Sequence, residues 1–344
     1  MDKEYIYTTD GKVRHFSVGE DINKKLSSII GRKFVRYRKL WDAANRFELE
    51  TEFPLFLHLD MNQNCNLRCP HCIIGQTEFK GKYYTGNNLS WDDFKLIVEE
   101  GEKYECPSIS PQGNNEPLLI KNLEQYIRYA HDHGFIDIMM NTNAMLLTEE
   151  RARTLLDSGL TRIRFSLDAA TTETYNRIRI GGDFNIVTKN IERFLQLKES
   201  GGYKLPITGV SFCKMSTNEQ ELDAFFDHWR NKVDIVSVQI FVPPILEKDF
   251  SNYYPLDQFI EDNGLKDFRC PQPFQRVVIR NNDITPCCAM FSSKLKIGDL
   301  RKNSIYEAWN SKSMKQLREI HKNGEYFKNN ICKDCVSLIY PRKK

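Results

Sequence analysis

The chain has 344 residues, with 49 Lys and Arg against 46 Asp and Glu, 40% hydrophobic residues and ten cysteines. This apolar content excludes a disordered chain, and a net charge of only +3 gives no electrostatic reason to expect a nucleic acid or an anionic membrane as partner. No stretch approaches the roughly 18 apolar residues of a membrane span, and the first residues lack a secretory signal, so a cytoplasmic protein is expected.

The predicted elements begin with a polar N-terminal extension, residues 1–50, which contains one helix at 33–47. From residue 53 to about 245, short β-type runs alternate with amphipathic helical stretches. Six strands are predicted in this region, at 55–60, 108–112, 136–141, 162–167, 207–213 and 235–241.

Six β-then-α units in series predict an α/β fold with a parallel sheet and helices outside it. Eight units would close a full barrel, whereas six fit either a partial, TIM-like (β/α)6 barrel or a flat doubly wound sheet. In both arrangements the chemistry is expected at the carboxyl ends of the strands.

Helix starts and one hairpin are also visible in the pattern. Ser90, Thr148 and Thr217 are each placed to cap the first turn of a helix. The segment after residue 268 is expected to form a β-hairpin with its turn at 281–283, followed by a single helix at 304–321.

Ten cysteines are many for a chain expected in a reducing compartment, where clustered thiols more often bind metal or do catalysis than form disulfides. Eight of them fall in two groups. The early group lies at positions 65, 69 and 72, and the late group lies at 270, 287, 288, 332 and 335.

The early group, Cys65, Cys69 and Cys72, forms a C-x₃-C-x₂-C run directly after the first predicted strand. Three thiolates on one loop can bind three irons of a [4Fe–4S] cluster, which leaves the fourth iron open. A zinc ion is the alternative, but it requires a fourth ligand, and His71 is poorly placed because it adjoins Cys72.

The early run resembles the signature of the radical S-adenosylmethionine (radical SAM) enzymes. The resemblance implies that the open iron chelates the methionine moiety of S-adenosylmethionine. It also implies that one electron cleaves the cofactor to a 5′-deoxyadenosyl radical. His71 occupies a position whose backbone usually faces the adenine in that family.

Three further stretches resemble motifs of the same family and imply cofactor contacts. Residues 113–117 (GNNEP) are similar to the GGEP motif, whose glutamate, here Glu116, binds the cofactor's ammonium group. Asparagine replaces the second glycine, and it tolerates the positive φ of a tight turn. The segment 142–144 is similar to the TNG turn, with Asn143 as the contact residue and Ala144 in place of glycine.

The third stretch, residues 166–182, resembles the S-x-D…Y-x-x-I-R-G-G segment of the family. The resemblance implies that Ser166 touches the ribose or the methionine end of the cofactor. It also implies that Arg179 pairs with the cofactor's carboxylate.

The late group resembles the SPASM/twitch auxiliary domain of radical SAM enzymes, including its "pCC", "IGD" and "W-N-S" landmarks. One set of four thiolates is available, which implies the shorter twitch form with one auxiliary [4Fe–4S] cluster. Family spacing favours Cys287 over its neighbour Cys288, and the implied ligands are Cys270, Cys287, Cys332 and Cys335. A four-cysteine zinc knuckle is the alternative.

Two cysteines lie outside both groups. Cys106 precedes the second strand and is expected to be a small buried hydrophobic residue. Cys213 ends the fifth strand on the catalytic face, where it either packs or donates a hydrogen atom to a substrate radical. A donating Cys213 implies epimerisation, and a packed one favours dehydrogenation through the auxiliary cluster.

The resemblance implies three regions: the extension at 1–50, a radical SAM partial barrel at 51–245 and the auxiliary-cluster domain at 246–344. The extension is too short for a peptide-recognition domain, so a small polar substrate of sugar, aminocyclitol or nucleoside type is expected. The other expected partner is an electron donor such as flavodoxin or ferredoxin. A peptide-modifying maturase and a zinc-stabilised binding protein without catalysis are the alternatives.

Overall fold

The computed structural model describes residues 3–7, 13–19, 21–258 and 268–341. The strands are β1 (Lys3–Tyr7), β2 (Val13–Gly19), β3 (Phe56–Leu59), β4 (Ser108–Ser110), β5 (Asp137–Thr142), β6 (Arg162–Ser166), β7 (Ile207–Lys214), β8 (Ile235–Ile240), β9 (Arg276–Arg280), β10 (Asp283–Thr285) and β11 (Gly298–Asp299). The helices are α1 (Ile22–Ile30), α2 (Arg32–Asn45), α3 (Trp91–Lys103), α4 (Leu123–Asp132), α5 (Glu149–Leu156), α6 (Thr172–Ile178), α7 (Phe184–Ser200), α8 (Leu222–Trp229), α9 (Gln272–Gln275), α10 (Ile305–Trp309), α11 (Lys312–Lys322) and α12 (Asn330–Ile339).

All six predicted parallel strands form, as β3 to β8, and they follow one another in the sheet in chain order. A doubly wound sheet reverses its strand order at a switch point, and no such reversal occurs between β3 and β8. Right-handed crossovers therefore place every connecting helix on the same face, and the sheet curls into the predicted partial barrel.

Side chains alternate between the helix layer and the barrel lumen along each strand. On β7, Phe212 packs against Phe225 of α8 with ring centroids 5.0 Å apart, and Val210 is fully buried beside it. Ser211 and Cys213 consequently face the lumen. Cys213 lies near its upper, carboxyl-terminal end, where the sequence pattern places the chemistry.

The N-terminal extension is part of the barrel rather than a polar appendage. Strand β2 pairs antiparallel with β8, and β1 pairs with β2, which adds two strands that the sequence pattern did not predict. Helix α2 forms as predicted, and Phe34 and Tyr37 on it are buried in a cluster with Ile207 of β7 and Phe274 of α9. These apolar contacts close the amino-terminal end of the lumen.

The C-terminal segment extends the same sheet. Strand β9 pairs parallel with β3, and β10 pairs antiparallel with β9, so the predicted hairpin is confirmed. Its turn residues Asn281 and Asn282 have φ of 51° and 71°, a left-handed conformation that asparagine tolerates. Strand β10 ends at Thr285 because Pro286 has no N–H to donate, so Cys287 and Cys288 lie beyond the strand.

Two helix predictions were wrong. Thr217 does not cap α8, which begins at Leu222, because the side chain of Asn218 instead binds the backbone of Met215, Asp168 and Cys213 and holds this loop. The predicted helix at 304–321 is two helices, α10 and α11, because the Ser311 hydroxyl caps a new helix by accepting the Met314 N–H.

None of the helices within the described part of the chain combines the length and apolar character needed to cross a bilayer.

Candidate active site

The three early cysteines lie on the loop that follows β3. Cys69 is buried, and Cys65 and Cys72 are partly buried. The loop is tightly wound: the Cys72 N–H donates to the Cys69 carbonyl at 3.0 Å, and the Gly75 N–H donates to the Cys72 carbonyl at 3.0 Å. A side chain at Gly75 would overlap the Cys69 carbonyl, so this position requires glycine.

The three thiols are close enough to influence one another electrostatically. Burial raises the pKa of Cys65 to about 11 and that of Cys69 to about 12, and the Cys72 charge contributes to both shifts. Burial also raises the pKa of Cys72. Iron would have to displace these protons, because the thiolate is the ligand.

No group of three or more His, Cys, Asp and Glu side chains among the described residues is arranged to hold a single metal ion.

The GNNEP segment after β4 forms its turn without left-handed residues. Neither Asn114 nor Asn115 has a positive φ, so the expectation that asparagine replaces glycine for that reason was wrong. The Asn115 side chain accepts the Gly113 N–H at 2.8 Å, and the Asn114 N–H donates to Asp60 at 2.6 Å. A side chain at Gly113 would collide with the Asp60 carboxylate, which explains the one glycine that the segment keeps.

Glu116 ends this turn with a buried carboxylate. It accepts hydrogen bonds from the Thr142 hydroxyl at 2.6 Å, the Asn143 N–H at 2.8 Å and the Leu118 N–H at 3.0 Å. Burial raises the pKa of Glu116, although these hydrogen bonds oppose the shift. The turn after β5 and the turn after β4 are thereby joined at one carboxylate.

Asn143 connects the Glu116 carboxylate to the loop that carries the early cysteines. Its side-chain amide donates to Asn66 at 2.9 Å and lies 3.7 Å from the Cys65 sulfur. The next residue, Ala144, has a φ of 59°, the conformation for which glycine is normally used. The backbone of this turn therefore also resembles that of the TNG turn, and the left-handed conformation strains Ala144.

Asp168 is a site residue to which the sequence analysis assigned no role. It has a φ of 61° and is buried, and its carboxylate accepts the Cys213 N–H at 2.7 Å and bonds the Arg179 guanidinium. His71 Nε2 lies 3.5 Å from the same carboxylate. The aspartate of the S-x-D motif was the signal that could have identified this residue.

Neighbouring charges keep the Asp168 carboxylate ionised. Burial acts to raise the pKa of Asp168, but the Arg179 charge and the His71 contact outweigh it, so the pKa is lowered. Burial acts to lower the pKa of Arg179, and the Asp168 and Cys69 charges raise it instead. A fixed ion pair therefore stands beside the cysteine loop.

Several buried polar atoms at this site have no hydrogen-bond partner among the described residues. They are His71 Nδ1, Arg179 Nε and the Tyr175 hydroxyl. Buried polar groups are normally satisfied, so orphaned ones beside three thiols fit a polar ligand such as the zwitterionic end of S-adenosylmethionine.

Ser166 and Cys213 face the lumen below this cluster of polar groups. Ser166 ends β6 and pairs in register with Ser211, and Cys213 pairs with Gln239. Burial raises the pKa of the Cys213 thiol, with a further contribution from Asp168, so the sulfur keeps its proton. Cys106, by contrast, is buried at the opposite end of the strands, as predicted, with its sulfur 3.1 Å from the Pro54 carbonyl.

Three of the late cysteines also lie close together. Burial raises the pKa of Cys287 to about 12, and the Cys288 and Cys270 charges add to the shift. Burial likewise raises the pKa of Cys332, with contributions from Cys270 and Cys287. Cys332 and Cys335 are three residues apart on α12, so they share one helix face.

His321 of α11 lies among the late cysteines and was missed by the sequence analysis. Its Nδ1 accepts the backbone N–H of Cys270 at 3.3 Å, so the ring proton must be on Nε2, which lies 3.4 Å from the Cys332 sulfur. Burial lowers the pKa of His321 to about 4, which agrees with a neutral ring. A lone histidine far from the CxxC pair gives no recognisable signal in the sequence.

Two family profiles match the chain. The profile of the Radical SAM superfamily matches residues 60–210, and SPASM, an iron–sulfur cluster-binding domain, matches residues 270–336. The first match contains the early cysteines and the cofactor motifs, and the second contains every cysteine of the late group.

The fold and the two cysteine sites thus define an α/β-barrel protein of the iron–sulfur class. More narrowly, residues 60–210 carry a domain of the Radical SAM superfamily, and residues 270–336 carry a SPASM domain. The cofactors of that superfamily are a [4Fe–4S] cluster and S-adenosylmethionine, and the SPASM domain binds auxiliary iron–sulfur clusters, as the resemblance implied.

Curated relatives match part of the chain. The probable GTP 3′,8-cyclase of Methanococcus maripaludis strain C5 is 31% identical over 205 residues, which cover 59% of this chain and 64% of that protein. The GTP 3′,8-cyclase of Clostridium botulinum strain Hall is 30% identical over 173 residues, 50% of this chain and 51% of that protein. The match therefore spans less than two thirds of the length of these relatives.

Solved structures share the fold at low sequence identity. BtrN in complex with AdoMet and 2-DOIA is 18% identical with a TM-score of 0.53, covering 86% of this chain and 98% of that chain. Streptococcus suis SuiB bound to precursor peptide SuiA is 14% identical with a TM-score of 0.63, covering 90% and 80%. These likenesses support the partial barrel with its C-terminal domain.

Proposed function

We propose that this protein reductively cleaves S-adenosylmethionine and abstracts hydrogen from an unactivated C–H bond of a small polar substrate, of sugar, aminocyclitol or nucleoside type. The observation that carries the proposal is the convergence of Cys65, Cys69, Cys72, Glu116 and Arg179 at one end of the barrel. When bound, the cluster supplies the single electron that cleaves the cofactor to a 5′-deoxyadenosyl radical.

The protein's own groups would bind and orient the cofactor. Cys65, Cys69 and Cys72 would hold three irons and leave the fourth open. The carboxylate of Glu116 is the charge partner for the cofactor's ammonium, and Arg179 is the partner for its carboxylate. Asp168 already fixes the Arg179 guanidinium, so little rotamer freedom is lost on binding.

Three further residues would complete this binding site. The backbone of His71 would face the adenine, Ser166 would contact the ribose or methionine end, and Asn143 would keep its turn against the cysteine loop. The contacts of Asn143 with Asn66 and Cys65 support its proposed role. The position of Ser166 on the lumen face of β6 supports its proposed contact with the cofactor.

Epimerisation and dehydrogenation are the two outcomes considered for the substrate radical. Cys213 faces the lumen and its raised pKa keeps the S–H bond that a hydrogen-atom donor requires. This favours epimerisation, with Cys213 returning a hydrogen atom on the face opposite to abstraction. Once a substrate is identified, a Cys213→Ala variant that still inverts it in deuterated water would remove this role.

The late cysteines would hold one auxiliary [4Fe–4S] cluster, with Cys270, Cys287, Cys332 and Cys335 as ligands. Cys287 is preferred to Cys288 because Cys287 interacts electrostatically with both Cys270 and Cys332.

We also propose domain boundaries after residues 50 and 245 and a cytoplasmic location for the protein. The electron donor that we propose is a flavodoxin or a ferredoxin. The names of the curated relatives, GTP 3′,8-cyclases, support the nucleoside branch of the substrate proposal.

The test is anaerobic purification followed by iron and sulfide analysis and by measurement of 5′-deoxyadenosine formed with dithionite. The wild-type protein should form 5′-deoxyadenosine, and Cys69→Ala should reduce the rate to background. Cys106→Ala, a buried cysteine at the far end of the strands, is the matched control and should keep the activity. About two zinc ions and no iron would instead support the zinc-stabilised binding protein.

A further inference from the structure

A cleft on the outside of the barrel reaches the loop that carries the early cysteines. This outer cleft lies between residues 61–66 of that loop, the turn at 88–89 before α3 and the segment 119–126 at the start of α4, and its volume is about 580 Å³. Cys65 is among the residues that line it. None of the residues proposed to contact S-adenosylmethionine lines it, so the outer cleft is separate from the cofactor site.

The lining of the outer cleft combines apolar and neutral polar side chains. Leu89, Leu119, Ile120 and Tyr126 contribute apolar surface, and Leu119 is 39% exposed. Four asparagines supply most of the polar groups. An apolar centre with a polar rim is the usual composition of a surface that binds another protein.

The charge of the outer cleft and its rim is positive. The lining contains one cation, Lys121, and no carboxylate. At the rim, the Arg68 guanidinium donates to the carbonyl of the first early cysteine at 2.6 Å, and the Lys80 and Asn64 side chains both lie next to Gly86. All three cations are exposed, and within the described part of the chain none of them pairs with a carboxylate.

The exposed acidic side chains of the neighbouring helices do not cancel this charge. Glu124 of α4 pairs with Arg151 at 2.7 Å. Asp92 of α3 pairs with Lys95 at 2.9 Å. Asp93 lies in the first turn of α3, where the positive end of the helix dipole partly compensates it.

The proposed reaction requires one electron from outside the protein, and the rate of electron transfer falls steeply with distance. The outer cleft is a place where a partner can approach Cys65 without entering the lumen. Complexes between electron-transfer proteins bury small interfaces, and complementary charges speed their formation.

We propose that the outer cleft is the docking surface for an acidic one-electron donor protein of the flavodoxin or ferredoxin type. This inference rests on the proposed function and deepens it. The donor would lose one electron, and the cluster that Cys65 would help to hold would gain it, with no proton transferred. Lys121, Arg68 and Lys80 would attract the carboxylates of the donor.

The test uses the reconstituted protein with a flavodoxin and a ferredoxin that each carry an excess of surface carboxylates. Stopped-flow absorbance measures reduction of the cluster by each reduced donor, and calorimetry measures binding of each oxidised donor. With the wild-type protein the second-order rate constant should fall as ionic strength rises. In Lys121→Glu the rate constant and the affinity should both fall about 10-fold at low ionic strength with at least one donor.

Lys33→Glu is the matched control. Lys33 lies on α2 at the amino-terminal end of the barrel, is exposed like Lys121, and has no carboxylate partner among the residues that the structure describes. The control changes the net charge equally and should keep both constants within about 2-fold. Reduced methyl viologen, a small cation, should reduce Lys121→Glu at least as fast as wild-type protein, which shows that the variant is folded and loaded.

Two results would overturn the inference: no binding of either donor to the wild-type protein, or equal effects of Lys121→Glu and Lys33→Glu. A wild-type dimer that Lys121→Glu dissociates, detected by sedimentation velocity, would also overturn it by assigning the outer cleft to a second copy of the chain. Formation of 5′-deoxyadenosine with dithionite needs no donor protein, so its absence would overturn the proposed function separately.

Discussion

The two cysteine sites use the same ligand atom in different surroundings. The early site, around Cys65, Cys69 and Cys72, lies among ionised groups, including the Asp168–Arg179 pair, and several buried polar atoms there have no partner. The late site, around Cys270, Cys287 and Cys332, has neutral polar neighbours: the His321 imidazole, held between a backbone N–H and a sulfur, and the Ser292 hydroxyl, which donates to the Cys287 carbonyl at 3.0 Å.

The difference follows from what each centre would bind. A centre that must hold a second, zwitterionic molecule needs fixed charges and free hydrogen-bonding atoms before that molecule arrives. A centre closed by four thiolates needs none of these, and its properties are set by hydrogen bonds to the sulfurs and by burial.

The largest effect is expected for Asp168→Asn in the early site. Asparagine tolerates the left-handed backbone, so the change removes only the charge and leaves Arg179 buried without compensation. We expect the free energy of unfolding to fall by about 3 kcal/mol, measured by urea denaturation of the metal-free protein.

Glu48→Gln provides the control for this variant. It breaks the exposed Arg46–Glu48 pair and should leave the urea midpoint nearly unchanged, because water and salt screen charges on the surface. Equal, small losses in both variants would show that the charges around the early cysteines are as screened as those on the surface.

An intermediate effect is expected for His321→Phe in the late site. The variant removes the N–H that points at the Cys332 sulfur, so the reduced auxiliary cluster loses a stabilising hydrogen bond. Its reduction potential should become more negative by roughly 40 mV, the one-electron equivalent of about 1 kcal/mol. A redox titration followed by electron paramagnetic resonance measures this shift.

His321→Gln should restore much of the potential, because the glutamine amide can place an N–H near the position of Nε2. The early cluster in the same sample is the internal control and should keep its potential. A shift of both clusters together, or none in His321→Phe, would contradict a local hydrogen bond to Cys332.

The smallest effect compares a left-handed residue at each site. Ala144→Gly removes backbone strain of roughly 1–2 kcal/mol. Glycine also raises the conformational entropy of the unfolded chain, which offsets part of this stabilisation. We therefore expect the free energy of unfolding to rise by about 1 kcal/mol. Asn282→Gly should change stability little, because asparagine already tolerates its φ of 71°. Chemical denaturation of both variants measures the difference.

Ala152→Gly, inside helix α5, is the control and should lose at least about 1 kcal/mol. A loss of stability in Ala144→Gly as well would mean that the alanine turn is unstrained.

Much of the barrel could be predicted because its signals are local. The six parallel strands, the helix cap at Ser90 and the hairpin turn at 281–283 depend on residue spacing and turn chemistry within a few positions. The failures at Thr217 and at 304–321 also have local causes: the Asn218 side chain holds the loop before α8 through backbone hydrogen bonds, and the Ser311 hydroxyl caps a new helix.

Contiguous motifs carry enough information to identify the three-thiol loop, Glu116, the S-x-D segment and the late CxxC pair. The contacts of Asp168 with Arg179 and His71, and of His321 with Cys332, emerge in the folded protein alone. Charge compensation and hydrogen-bond satisfaction depend on distances between strands and helices far apart in the chain, and residue spacing carries no record of those distances.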